Sequence, residues 1–337
     1  MEKYTNYAFE LRRALKSQPI NTTFLINLAK QTDNLERQFI RESYFNLTKI
    51  DLIEDLKSLR DIEGFGFEYL MIGLYRSPTE YDVYEIFEAV DGVGTNEDTL
   101  SEIIGTRDPY RIQEINKFYS LLFSSELKDV LIAEQLEKDY LKFLDFILFP
   151  EKNASNSNEN SNSNSLSLQD RYIEASLSQL NNFGGKLMEK KLAILSDILI
   201  KENNSMFLKE LNESYKIKNN RSLNDLIEKE FKNPLKTLLN YTLNGHSDFL
   251  RFYAERLINA FNNAKNDSKR IIRSLISIYP VNMTEFRNVM STDFKIDLDD
   301  LITRNTQGLF RDLLLVVANG DNFPKNEIPF RIEIESI

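Results

Sequence analysis

Leu127-Lys128-Asp129-Val130 carries an aliphatic residue at each end and an aspartate in third place, and the chain holds three more stretches of the same form. They are Ile53-Glu54-Asp55-Leu56, Leu223-Asn224-Asp225-Leu226 and Leu298-Asp299-Asp300-Leu301. In chain order the four starts are 74, 96 and 75 residues apart. Eight positions upstream of each start stands a large apolar residue: Phe45, Tyr119, Tyr215 and Met290. The wide interval contains Asn153 to Ser167, a run of Asn, Ser and Glu that reads as a flexible linker. Without that run the period is close to 75 throughout. Register kept over four copies, with its one exception explained by an insert, marks an internal repeat.

Inside a unit the periodicity is helical. Tyr140, Phe143, Leu144, Ile147 and Leu148 recur at i, i+3, i+4, i+7 and i+8, one face of a helix that ends before Pro150. Leu100, Ile103, Ile104 and Arg107 behave alike. Leu257, Phe261, Ile271, Ile272 and Leu275 do so across two helices separated at Asn262 to Asp267. No period-2 alternation extends beyond a few residues, and 11 Gly and 8 Pro among 337 residues are few for a turn-rich all-β chain. Each unit has room for about five helices of ordinary length. The expected fold is all-α.

Composition removes several classes of function. There is no cysteine, so disulfides, thiolate nucleophiles and Cys-ligated metal centres are excluded. The segment Met1-Glu2-Lys3-Tyr4 has no apolar character, and residue 2 is not the glycine of a myristoylation signal. The longest apolar runs, such as Leu313 to Ala318, are about a third of a membrane span. A cytoplasmic chain, peripheral at a membrane or at the cytoskeleton, is expected. A formal net charge of −10 repels nucleic acid and anionic lipid alike. Nucleic acid is therefore not an expected partner, and contact with anionic lipid calls for an intervening cation.

The second unit reads Ala89-Val90-Asp91-Gly92-Val93-Gly94-Thr95-Asn96-Glu97-Asp98-Thr99-Leu100, followed by Glu102-Ile103-Ile104-Gly105-Thr106-Arg107. This closely resembles the annexin repeat in its Gly-x-Gly-Thr loop, the acidic pair after it and the arginine closing the next helix. Asp55-Leu56-Lys57-Ser58 and Ala254-Glu255-Arg256-Leu257 carry the likeness in the first and fourth units, and spacing carries it in the third. The Asn/Lys/Ile-rich composition is closer to a protist member of the alpha-giardin type. The resemblance implies four annexin-type repeats of about five helices each, forming a curved disc with calcium loops on its convex face. The expected divisions are repeats at 5–77, 78–150, 169–244 and 247–320, a linker at 151–168 and a tail at 321–337.

Calcium wants six to eight oxygens, and a Gly-x-Gly loop suits it because glycine reaches φ > 0 and turns successive carbonyls toward one point. By resemblance, the ligands are the carbonyls of Val90, Gly92 and Gly94 plus a carboxylate further on. Counting 39 residues from Thr95 arrives at Glu134, at the end of an expected helix. A weaker accessory site, also by resemblance, uses carbonyls of Thr95 and Asn96 with the Glu97 carboxylate. Thr95 is in addition the expected N-cap, with Asp98 at the reciprocal position. Water or lipid phosphate completes the shell, so that Ca2+ bridges an acidic protein and an anionic membrane. The alternative for this loop is a glycine-rich turn kept for shape alone.

The other loops depart from the pattern. In the first unit the positions are Ser17-Gln18-Pro19-Ile20, with Leu59 at the cap and Asp61 or Glu63 available only through a shift of register. In the fourth they are Asn263-Ala264-Lys265-Asn266 with Asn305 at the cap. In the third, Glu230 stands near the cap, the loop lies around Lys186 to Lys191, and Gly184-Gly185 is either a displaced remnant or a turn before a helix. One site in four implies weak, lipid-dependent calcium binding, with self-association as a way to raise avidity.

No set of nucleophile and base emerges, and an enzyme is not expected. His246 is the single histidine, expected on the surface or in the connection between the third and fourth units. Lys269, Arg270 and Arg273 form a basic cluster expected on a solvated helix face. The tail ends in the alternating Ile332-Glu333-Ile334-Glu335-Ser336-Ile337, either packed as an extended segment or bound to another protein. Two functions stand side by side: calcium-dependent binding of anionic phospholipid, or a structural protein with a cytoskeletal partner and little calcium dependence.

Overall fold

The computed structural model describes residues 2–150, 168–201, 204–263, 267–279 and 282–320; the linker run at Asn153 to Ser167 and the tail from Asp321 lie outside these. The first group of helices comprises α1 (Glu2–Lys16), α2 (Thr22–Gln31), α3 (Asn34–Thr48), α4 (Leu52–Leu56), α5 (Arg60–Glu63) and α6 (Phe65–Tyr75). A single 3-10 turn at Lys57–Leu59 joins α4 to α5. The second group comprises α7 (Pro78–Val90), α8 (Glu97–Thr106), α9 (Pro109–Phe123), α10 (Leu127–Ala133) and α11 (Lys138–Leu148). The third comprises α12 (Leu168–Asn181), α13 (Met188–Ser196), α14 (Ser205–Asn219), α15 (Leu223–Glu230) and α16 (Leu235–Ser247). The fourth comprises α17 (Phe249–Asn262), α18 (Ser268–Ile278), α19 (Met283–Asp293), α20 (Leu298–Asn305) and α21 (Gly308–Ala318). No strand occurs among the described residues, so the all-α expectation holds, with about five helices in each of four groups.

Capping chemistry fixes the repeat register, and it moves the first unit by one residue. Helices α4, α10, α15 and α20 each begin on a leucine, with Asp51, Glu126, Ser222 and Asp297 at the N-cap. Those four caps are 75, 96 and 75 residues apart. The true counterpart of Leu127 is therefore Leu52, not Ile53. The upstream apolar position moves with it. Tyr44, Tyr119, Tyr215 and Met290 are all buried, whereas Phe45 is 49% exposed. Asp51 decides the matter because its carboxylate accepts the Ile53 amide and starts the helix there.

The helices assemble into two compact units, one of residues 76–256 and one holding 1–75 with the described residues from 257 onward. In the first of these, Ile86, Leu100, Ile103, Tyr140 and Leu144 pack into one continuous core with Leu208, Leu211 and Leu238. Helices α8 and α16 approach unusually closely in it. A Cβ built on Gly245 would lie 2.6 Å from Thr106 Cγ2, and one on Gly105 would lie 3.1 Å from Thr242 Oγ1. In the other unit, Arg37 is fully buried, donating to the carbonyls of Ala29 and Thr32 and to the Tyr279 hydroxyl.

Two expectations about surface residues are corrected. His246 is not in a connection; it sits in the last turn of α16, partly buried, and burial holds its imidazole neutral with a pKa near about 4. The basic cluster on α18 is split: Lys269 is exposed and Arg270 half-buried, but Arg273 is not on a solvated face. Arg273 is only 3% exposed, within a helix whose residues Ile271 to Ile276 are all buried. Lys269 lies over the rings of Phe65 and Tyr69, 5.7 and 5.3 Å from their centroids.

Candidate calcium site

Helix α7 stops at Val90 and α8 starts at Glu97, and the Asn96 amide donates across the intervening loop to the Ala89 carbonyl at 2.7 Å. That bond pinches the ends together and pushes Asp91 to Gly94 outward, where all four are exposed. Gly92 and Gly94 have φ of +109° and +85°, the left-handed region that a side chain makes costly. No atom lies within 4 Å of a Cβ built on either, so the glycines are there for backbone conformation and not for room. Among the described residues, the carbonyls of Val90, Gly92 and Gly94 accept no main-chain hydrogen bond between elements.

Glu134 caps the C-terminus of α10, and the fold brings it to this loop. The Thr95 hydroxyl donates to Glu134 Oε2 at 2.6 Å across 39 residues of chain. The carboxylate that the resemblance implies, found by counting residues, is thus in contact with the loop that the resemblance implies. Asp91 belongs to the same neighbourhood, since burial and then the charges of Asp91 and Glu134 raise the pKa of Tyr119. Its place directly before Gly92 was the signal for it.

Two details differ from the sequence reading. The N-cap of α8 is Asn96, whose side chain accepts the Thr99 amide at 3.0 Å; Thr95 is not the cap because its hydroxyl is turned to Glu134. Asp98 does not complete a capping box. It accepts from the Tyr241 hydroxyl at 2.6 Å and from Arg256 Nη2 at 2.9 Å, tying α8 to α16 and α17. In the expected accessory set, the Asn96 carbonyl already accepts the Leu100 amide.

Calcium fits the primary residues in a specific way. Among the described residues no three acidic or histidine side chains converge as a metal cluster. A cation here has to draw on main-chain carbonyls and solvent, with one carboxylate. That donor set suits a hard ion that accepts water, and does not suit zinc.

The corresponding places in the other groups explain themselves physically. In the first, the Asn21 amide donates to the Ala14 carbonyl at 3.1 Å, closing a loop of the same design. Its residues 17–20 have no left-handed φ, and Leu59 at the cap position is fully buried. In the third, Gly185 keeps a φ of +74°, two residues before the N-cap as Gly94 is, but Phe183 fills the place of Gly92 and is buried. Glu230 is present, and its carboxylate holds the Lys191 ammonium at 2.5 Å, again across 39 residues. An internal cation thus occupies the carboxylate that in the second group meets only a hydroxyl. In the fourth, residues 264–266 of the loop lie outside the described residues, and Asn305 donates its side-chain amide to the Leu301 carbonyl.

Beneath the site, Arg107 binds Asp82 with two bonds of 2.9 and 2.8 Å, and Arg111 adds a third at 3.1 Å. Burial acts to raise the Asp82 carboxyl, yet the two guanidiniums outweigh it and hold the group below its usual range. The arginine noted in sequence as closing α8 is therefore the anchor of α7 to α8 and α9.

Residues 81–144 match the annexin family model, a span that starts in α7 and contains both the loop and Glu134. Rat annexin A5 is 25% identical over 316 residues, 93% of each chain. Annexin III superposes with a TM-score of 0.80 at 23% identity, covering 95% of this chain and 94% of the other. A calcium-bound structure of alpha-14 giardin gives a TM-score of 0.73 at 17% identity, covering 94% and 99%.

Proposed function

The chain is annexin-like in fold and along its sequence, and from that premise we propose that it binds calcium through the second-group loop and, through the ion, anionic phospholipid. The observation that carries this reading is the 2.6 Å contact between Thr95 and Glu134, which joins an exposed left-handed glycine turn to a carboxylate. The carbonyls of Val90, Gly92 and Gly94 with the Glu134 carboxylate are the holding residues; Thr95 orients that carboxylate. Bound there, calcium supplies the positive charge that a protein of net charge −10 needs to meet a lipid phosphate. The role is one of binding, not catalysis. Among the described residues no helix is long and apolar enough to cross a membrane, which accords with peripheral attachment.

The test is sedimentation with phosphatidylserine vesicles. Wild-type protein pellets in calcium and stays in solution with chelator, and Glu134→Gln stays in solution in both. Equal pelleting with and without calcium sinks the mechanism. A second reading, a cytoskeleton-associated protein with little need of calcium, draws on the Lys191–Glu230 pair and the buried Leu59, which leave the other loops without a usable cap. Filament co-sedimentation that survives Glu134→Gln would support it.

A further inference from the structure

Between α10 and α11, on the flank of the same group, lies an apolar groove of about 230 Å³. Leu131 and Ile132 of α10 form one wall; Leu141, Leu144 and Leu148, spaced i, i+3, i+7 on α11, form the other. Leu131 and Leu144 are core residues at the floor, while Ile132 is 51% exposed at the mouth. The rim is cationic: Lys128, Lys138 and Lys142 all line it, against the single carboxylate of Asp145. Lys128 pairs with that aspartate, and Lys142 reaches out 2.7 Å to Glu189, which is 77% exposed. Lys138 stands in the first turn of α11 and is exposed.

Asp145 and Glu189 answer two of the three lysines, and Lys138 leaves the rim of this leucine-lined slot net cationic in a chain of net charge −10. We propose that this groove binds one monoacyl lipid with an anionic head. The chain lies along Ile132 and Leu141 over a floor of Leu131, Leu144 and Leu148, and the head meets Lys138. Charge complementarity selects the head: an anion is attracted to the rim, a quaternary ammonium is repelled, and an alcohol gains only the apolar part. At about 230 Å³ the groove is sized for one acyl chain. Each methylene removed from water adds about 0.8 kcal/mol, so affinity rises with chain length until the slot is full.

This site is independent of the calcium reading, because no residue of the loop, nor Glu134, lines the groove. The full chain in chelator is titrated calorimetrically with decanoate, decanol and decyltrimethylammonium, all below their micellar concentrations. Decanoate saturates at one per chain, and the cationic analogue binds at least about tenfold more weakly. Ile132→Asp, at a half-exposed position that tolerates the change, weakens decanoate by about tenfold or more. Lys138→Glu weakens it roughly fivefold, the upper end for one exposed ion pair. Glu134→Gln leaves decanoate binding unchanged while abolishing calcium-dependent pelleting. Equal binding of all three head types, or decanoate binding indifferent to both Ile132→Asp and Lys138→Glu, overturns the proposal and reduces the groove to a generic apolar surface.

Discussion

Thr95 holds the cap carboxylate at the loop with one charge-assisted hydrogen bond, and the effect of removing that bond is calculable. Thr95→Val keeps the shape of the side chain and deletes the donor to Glu134. The net value of such a bond to a charged group is about 1.5 kcal/mol, so calcium affinity should fall roughly tenfold, measured by titration with vesicles present. Stability should hardly change, since the residue is at a partly exposed loop. Gly94→Ala separates the same two quantities differently. Nothing obstructs the methyl, but φ of +85° costs a side chain about 1–2 kcal/mol. The loop therefore relaxes, and calcium affinity falls by about tenfold while the core packing stays as it was. Lys191→Gln tests the third loop from the other direction. It leaves Glu230 without its cation, and with both side chains largely buried, at 11% and 16% exposure, it should cost about 1–3 kcal/mol in urea unfolding. Calcium should not restore that loss, because Phe183 stands where the loop needs a glycine. A calcium-dependent rise in the midpoint for this variant would show that the lysine alone had closed the site.

Among elements, the pair α8 and α16 shows what close packing demands. Gly245→Ala places a methyl 2.6 Å from Thr106 Cγ2, and Thr106 is itself fixed by its hydroxyl bond to the Glu102 carbonyl. The helices must separate, at a cost of about 1–3 kcal/mol, measured as a shift in the urea midpoint at unchanged slope. The same scale shows what was legible beforehand. The four groups of about five helices followed from the spacing of one short pattern and from helical periodicity. The Gly-x-Gly loop and its partner Glu134 followed from resemblance and a count of residues. The register error in the first group arose because Ile53-Glu54-Asp55-Leu56 imitates the pattern one residue late, while the cap pairs Asp51-Leu52, Glu126-Leu127, Ser222-Leu223 and Asp297-Leu298 carried the true register. Thr95 and Asn96 are both competent caps, and only the approach of α10, distant in sequence, decides which of them turns away. Arg273 and His246 were misplaced for a related reason. Charged and titratable residues read as surface until a third helix covers them, and local sequence does not name that helix.

Over the whole molecule, the charge and the buried titratable groups together set the response to acid. The chain's isoelectric point is near 5.0, so its net charge of −10 shrinks steadily as pH falls from neutrality. Two buried groups lose their contribution in different windows. His246 has its folded pKa pushed down to about 4 by burial, against an unfolded value of 6.5. The unfolded state therefore binds the extra proton first; stability is fully present above pH 6.5 and declines as pH falls toward 4, by up to about 3 kcal/mol. Asp82 is also depressed, burial being outweighed by Arg107 and Arg111, so its contribution persists to lower pH and fades only below about 4. Thermal melts from pH 7.5 to 3 should thus show a first decline across the histidine window and a second, steeper one beneath it. His246→Asn should flatten the first and leave the second. Asp82→Asn should do the reverse at acid pH, but at neutral pH it should already cost about 3–5 kcal/mol, because it strands Arg107 in a buried position. A decline between pH 6.5 and 4 that persists unchanged in His246→Asn would assign the first step to surface carboxylates instead.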